Sequence, residues 1–191
     1  SVFSTSSTEA RIARVVSVSG GRLIALIDMT VGEDGALHSD APQIGELVKI
    51  ATRGSMVFGF VAGLNIPLPD DTSAQRELRI IEVELIGEME RAGNGEYVNF
   101  QRGVSFFPSL DDTICLATQD DLQRVFVRPE LNTVRIGSLH QDKSVPAFIA
   151  PNDLLGKHFA VLGATGSGKS CATAAILRAI LSKHGSAHIV I

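Results

Sequence analysis

Apolar and polar positions alternate with a period of two over much of the chain before residue 140. The clearest case is residues 77–86, where Ile81, Val83 and Leu85 fall to one side and Glu82 and Glu84 to the other. That pattern predicts a strand with one buried face. Residues 11–18 and 22–28 are apolar, β-branched runs separated through Gly20 and Gly21, which predicts a hairpin. Two further strands, 44–50 and 56–62, are joined through Arg53 and Gly54. Gly59 inside the second predicts a bulge or sharp bend, as where a sheet curls into a barrel. Shorter strands are expected at 97–101, 113–117 and 134–137, the last beside the run 144–149, and a helical turn at 119–123. Residues 1–8 are rich in Ser and Thr and are expected to be disordered.

No long amphipathic helix interrupts these strands, so a small antiparallel barrel or sandwich is expected over residues 9–145. From 146 onward the pattern changes. Asn152 or Asp153 is placed to cap a short helix running to Gly156. Then come an apolar strand at 159–162, a glycine-rich turn, an alanine-rich helix over 171–183 and another apolar run at 189–191. Strand, loop, helix and strand in that order are the signature of a parallel sheet. Residues 146–191 therefore read as the first part of an α/β domain. A parallel sheet needs cover on both faces, so the chain is expected to be a fragment or truncated product of a longer protein.

Composition narrows the function. Hydrophobic residues make up 45% and charged residues 20%, a globular profile. A net charge of −4 excludes a strongly basic nucleic-acid binder. No apolar run is long enough to span a membrane. The two cysteines, Cys115 and Cys171, form no metal or redox spacing, and a cytoplasmic location is expected.

The candidate chemistry lies at 163–170. Gly163, Gly168, Lys169 and Ser170 satisfy G-x-x-x-x-G-K-S/T, the Walker A loop. Glycines at 163, 166 and 168 are expected to take positive φ and let backbone approach a ligand. Successive N–H groups of Ala164, Thr165, Gly166, Ser167 and Gly168 then form an anion cradle. A helix starting near Lys169 adds unpaired N–H groups and a positive dipole end. Lys169 is the candidate catalytic residue, reaching the β- and γ-phosphates of ATP, and the Ser170 hydroxyl is the Mg²⁺ ligand. Cys171, next on the helix, is expected to pack near the base or sugar.

The string HFAVLGATGSGKS at 158–170, following a β-barrel, resembles the HerA-type ATPases of the FtsK–HerA superfamily of hexameric DNA motors. The likeness extends to residues 45–50 with Gly59, to FQRGV at 100–104, to Ile136 and Gly137, and to Asp153, Leu154 and Leu155 before Lys157 and His158. It implies an N-terminal barrel for assembly and for docking a NurA-type nuclease. It also implies the start of a RecA-like P-loop NTPase domain at 146–191. The whole protein would be a homohexameric ring that uses ATP to move along double-stranded DNA in end processing and repair. The Walker B acid, arginine finger and pore loops of such motors have no counterpart in these residues, so the chain alone is expected not to hydrolyse ATP. Two alternatives remain open: a conjugation or secretion motor of the same superfamily, and a truncated, non-catalytic barrel module for assembly.

The remaining polar residues carry milder expectations. The pairs Asp70 and Asp71, Asp111 and Asp112, and Asp120 and Asp121 sit beside turn signals, where Asp serves turn chemistry. His158 and His188 match no metal-ligand spacing. Arg11, Arg14 and Arg22, with Arg124 and Arg128, are read as solvated surface rather than a basic patch, and Cys115 as core.

Overall fold

The computed structural model describes residues 11–28, 30–31, 37–38, 41–66, 78–128 and 132–185. The expected tail at 1–8, the pair Asp70 and Asp71, His188 and the run 189–191 lie outside them. The chain divides into two compact units, Ser1–Arg124 and Val125–Ile191, upstream of the junction at 145 that the sequence pattern suggests.

The first unit holds β1 (Arg11–Ser19), β2 (Arg22–Ile27), β3 (Thr30–Val31), β4 (Leu37–His38), β5 (Leu47–Ala51), β6 (Ser55–Asn65), β7 (Ile80–Glu90), β8 (Gln101–Arg102) and β9 (Thr113–Leu116). Its last element is α1 (Gln119–Val125), whose final residue crosses the division. All pairings are antiparallel. β1 and β2 form the expected hairpin, with Ser19 opposite Arg22 and Gly20 at φ +58°. From β2 the ladder runs through β1, β9, β5, β6 and β7, and β7 pairs back with β2. The ring is therefore a closed barrel, which leaves no unpaired edge among those strands. β8 extends the far end of β7, and β3 pairs only with β4.

Alternation fills the barrel. Ala13, Val15, Leu23, Ala25, Ile27, Val48, Ile50, Val61, Ile81, Val83 and Ile114 form its core, while Glu82 and Glu84 on β7 are exposed. Burying each of the larger aliphatics contributes about 1.5–3 kcal/mol. The β6–β7 register slips twice, between Phe58 and Gly59 and between Val61 and Gly63. Gly59 is needed at the first slip. A Cβ there would stand 2.5 Å from Val83 Cγ1 and 2.8 Å from the Glu84 carbonyl oxygen.

The slip also reverses the alternation along β7. Glu88 consequently turns inward, 3% exposed. Its carboxylate accepts hydrogen bonds from Ser55 Oγ at 2.8 Å, the Ser105 amide at 2.7 Å and the Phe106 amide at 3.2 Å. Burial raises its pKa, but these donors outweigh burial and hold it below the ordinary glutamate value. Glu88 thereby ties the segment after β8 to the barrel wall.

Outside the barrel wall, α1 covers β5. Lys49 Nζ lies 2.7 Å from Asp121 Oδ2, with side chains 5% and 12% exposed. The same carboxylate accepts from the Thr118 amide at 2.8 Å and the Thr118 hydroxyl at 2.7 Å, and Thr118 Oγ1 accepts from the Asp121 amide at 3.2 Å. This reciprocal cap starts α1. Asp121 is thus a buried ion-pair partner as well as a turn residue. Asp112 behaves as turn chemistry requires, accepting from the Ser109 amide at 2.7 Å. Asp111 sits at φ +67° and binds Arg14 at 3.0 Å.

One strand expectation in the first unit needs correction. At 97–101 the ladder consists only of a bridge between Arg91 and Tyr97 and the short β8. The Arg124 guanidinium donates to the carbonyls of Tyr97 and Val98, at 2.6 and 3.2 Å, and occupies acceptors that a strand partner would use. The strand expected at 134–137 forms and belongs to the second unit.

That unit contains β10 (Val134–Ser138), β11 (Pro146–Ile149), α2 (Pro151–Leu155) and α3 (Lys169–Lys183). β10 and β11 pair with each other. Arg128 Nε donates to Thr133 Oγ1 at 3.1 Å and its guanidinium stands 5.4 Å from the Phe148 ring centre. Lys183 Nζ donates to the Thr133 carbonyl at 2.8 Å, which fastens the end of α3 to the start of β10. No helix among the described residues is long and apolar enough to cross a membrane.

Candidate nucleotide site

The approach to the loop begins at α2. Its N-cap is Ala150, with no side-chain cap bond, and Pro151 opens the first turn. Proline's fixed φ and missing N–H suit that place. Asn152 and Asp153 therefore lie inside the helix rather than capping it, and the Asn152 carbonyl receives the Gly156 amide at 2.9 Å.

Residues 157–164 are irregular, and the expected strand at 159–162 is absent among the described residues. Phe159 is 48% and Leu162 87% exposed. A strand is defined by a neighbour to bond with, and no described strand lies beside this segment.

The turn and helix that follow are formed. Gly166 takes φ +82° and Gly168 φ +86°, both left-handed. Gly163 does not, and instead it comes close to Ser167. A Cβ there would meet Ser167 Oγ at 2.5 Å. The Ser167 amide closes the turn onto the Ala164 carbonyl at 3.1 Å. Gly168 is the N-cap of α3, and its carbonyl receives the Ala172 amide at 2.9 Å.

The start of α3 is electrostatically open. No side chain caps it and no acidic residue lies in its first turn. The first N–H groups of a helix lack intrahelical acceptors, and here its positive dipole end meets no carboxylate of its own turn. Lys169, the first helical residue, folds back so that Nζ donates to the Ala164 carbonyl at 2.6 Å. Ser170 and Cys171 are exposed on the same turn. Thr173 Oγ1 donates to the Lys169 carbonyl at 3.0 Å. The structure thus places Ala164 and Thr165 in the turn, between Gly163 and Gly166, and brings Ser167, Gly168, Lys169, Ser170 and Cys171 to one helix end.

The residues fit a bound polyphosphate. The two left-handed glycines, the close Gly163–Ser167 approach and the uncapped helix start provide donors, and Lys169 provides a cation. Ser170 is a hard oxygen ligand of the kind Mg²⁺ takes.

Several other sequence candidates lie in the first unit. Arg11 pairs with Asp28 and Arg14 with Asp111, so neither adds to a basic patch. Cys115 is half-buried on β9. The pattern along the chain did not single out Arg135 or Arg178, which flank a groove beside α3. Arginines at these positions read as ordinary surface until the pairing of the second unit is known.

Comparison with known proteins bears on the same region. Residues 134–191 match the family described as the central domain of the helicase HerA. A probable helicase of Methanocaldococcus jannaschii is 28% identical over 80% of this chain. The chain spans 33% of that relative's length. Residues 134–191 are thus similar to the HerA central domain, and both matches support a HerA-type ATPase of the FtsK–HerA superfamily.

Proposed function

We propose that this chain is the ATP-binding part of an ATP-dependent DNA translocase or helicase. The observation that carries the reading is the turn at 163–170. It has left-handed Gly166 and Gly168, and Lys169 at the first position of an uncapped 15-residue helix. The family match over the same residues supports it.

In this reading the loop amides and the start of α3 bind the β- and γ-phosphates, and Lys169 exchanges its Ala164 acceptor for phosphate oxygen. Ser170 holds Mg²⁺, which supplies charge neutralisation on the phosphates when bound. Positioning and electrostatic stabilisation are what phosphoryl transfer asks of a protein. The whole protein works as a homohexameric ring on double-stranded DNA in end processing and repair, with a NurA-type nuclease as partner. The helicase name of the Methanocaldococcus jannaschii relative supports the motor class.

The test uses the full-length gene product. MgATP hydrolysis is measured with and without linear duplex DNA, assembly by native mass spectrometry, and nuclease association by co-purification. DNA-stimulated hydrolysis by a hexamer is expected. A protein that binds no MgATP would overturn the reading. One that hydrolyses it without regard to DNA would reduce it to an ATPase of another role.

A further inference from the structure

We propose that the groove between α3 and β10 receives the nucleoside end of the nucleotide whose phosphates occupy the loop, an inference that rests on the phosphate-binding reading above. The groove encloses about 730 Å³ and is lined by Val134 and Arg135 from β10 and by Cys171, Ala174, Ala175 and Arg178 from α3. Small-ligand sites span about 300–1,000 Å³, so a purine nucleoside is of suitable size.

Position links the groove to the loop. Cys171 directly follows Ser170, the proposed metal ligand. Ala175 stands one turn further along α3, a rise of about 6 Å at 1.5 Å per residue. A nucleotide fixed by its phosphates at the helix start brings its sugar past Cys171 and its base against this wall.

The chemistry of the two walls matches a flat aromatic base. On α3, Ala174 and Ala175 offer only methyl groups, which leave an even apolar surface. On the opposite side, Arg135 is held in place. Its Nε donates to the Gly137 carbonyl and its terminal nitrogen to Ser138 Oγ, each at 3.2 Å. A planar cation fixed by its own strand is suited to stack on a π face. Arg178 adds positive charge at the rim. Lys183 Nζ donates to the Thr133 carbonyl at 2.8 Å, which ties the end of α3 to the residue before β10. A bare polyphosphate has no flat base to lie between these walls.

That difference defines the experiment. Binding of MgATP and of magnesium tripolyphosphate is measured by calorimetry on the full-length gene product, its Ala175→Trp variant, which fills the groove, and its Arg135→Ala variant. Stacking of the usual strength predicts that Ala175→Trp weakens MgATP about tenfold or more and Arg135→Ala about fivefold. Tripolyphosphate affinity stays unchanged in both. If MgATP binding is unaffected in both variants while tripolyphosphate still binds, the groove inference falls and the phosphate loop stands. If the unsubstituted protein binds neither ligand, the loop reading itself falls. If Ala175→Trp weakens both ligands equally, the helix has been damaged and Arg135→Ala decides: selective loss of MgATP supports the groove, and unchanged MgATP overturns it.

Discussion

The Lys169 ammonium and the Ser167 amide share one acceptor, the Ala164 carbonyl, at 2.6 and 3.1 Å. The loop is thereby closed by its own donors, and the cation rests against the turn it is proposed to share with phosphate. Lys169→Ala removes the cation while leaving the Ser167 bond that shapes the turn. Losing one charged donor to a transferring group typically costs about 10²–10³ in turnover. The expected outcome is that loss in the steady-state ATPase of the full-length gene product, with an unchanged circular dichroism spectrum and melting temperature. Retained turnover would remove Lys169 from the site.

Gly59 tests the register slip between β6 and β7. Alanine there drives its Cβ toward the Glu84 backbone oxygen at 2.8 Å as well as the Val83 methyl, and backbone cannot give way cheaply. Overpacking of this kind costs about 1–3 kcal/mol. Gly63→Ala is the matched control, since its nearest neighbours, Glu82 side-chain atoms, stand at 3.7 Å. Thermal melts should show a clear fall for the first and little change for the second.

The Lys49–Asp121 pair predicts non-additivity. Asp121→Asn keeps an acceptor for Thr118 but removes the carboxylate charge that Lys49 pairs with at 2.7 Å, a loss of up to about 3–5 kcal/mol. Adding Lys49→Met removes the second member of the pair and should restore part of that stability. Urea unfolding of the four proteins in the cycle measures the coupling. Additive effects would show that the pair contributes no specific interaction.

Glu88 sets an acid limit on the barrel. Its folded pKa is lowered because the Ser55, Ser105 and Phe106 donors outweigh burial. A depressed carboxylate stabilises the fold above its unfolded pKa, and that contribution is lost as pH falls through the folded pKa. Urea midpoints should therefore drop as pH falls below the ordinary glutamate value of 4.5. Glu88→Gln should be less stable at neutral pH and show a flatter acid limb. An equally steep limb in the variant would assign the acid sensitivity to other groups.

Much of the barrel was legible residue by residue. The turn at Gly20 and Gly21, the alternation around Ile81 and Val83, and the bend at Gly59 all follow from local rules, because period and turn chemistry are properties of neighbouring residues. Glu88 was not legible. It belongs to the exposed series of Glu82 and Glu84 until a register slip against β6 reverses the face. Asp121 was likewise a plain turn residue until β5 brought Lys49 beneath α1.

The loop at 163–170 divides in the same way. Sequence alone determined its glycines, its lysine and the helix behind them, since left-handed turns and helix starts need particular residues at fixed spacing. Tertiary structure decided that Gly163 approaches Ser167 without a left-handed φ, and that residues 159–162 form no strand beside the described elements. It also decided that β10 faces α3 across a groove. Each of these depends on which distant segment lies alongside, and a pattern read along one strand or helix carries no record of its partner.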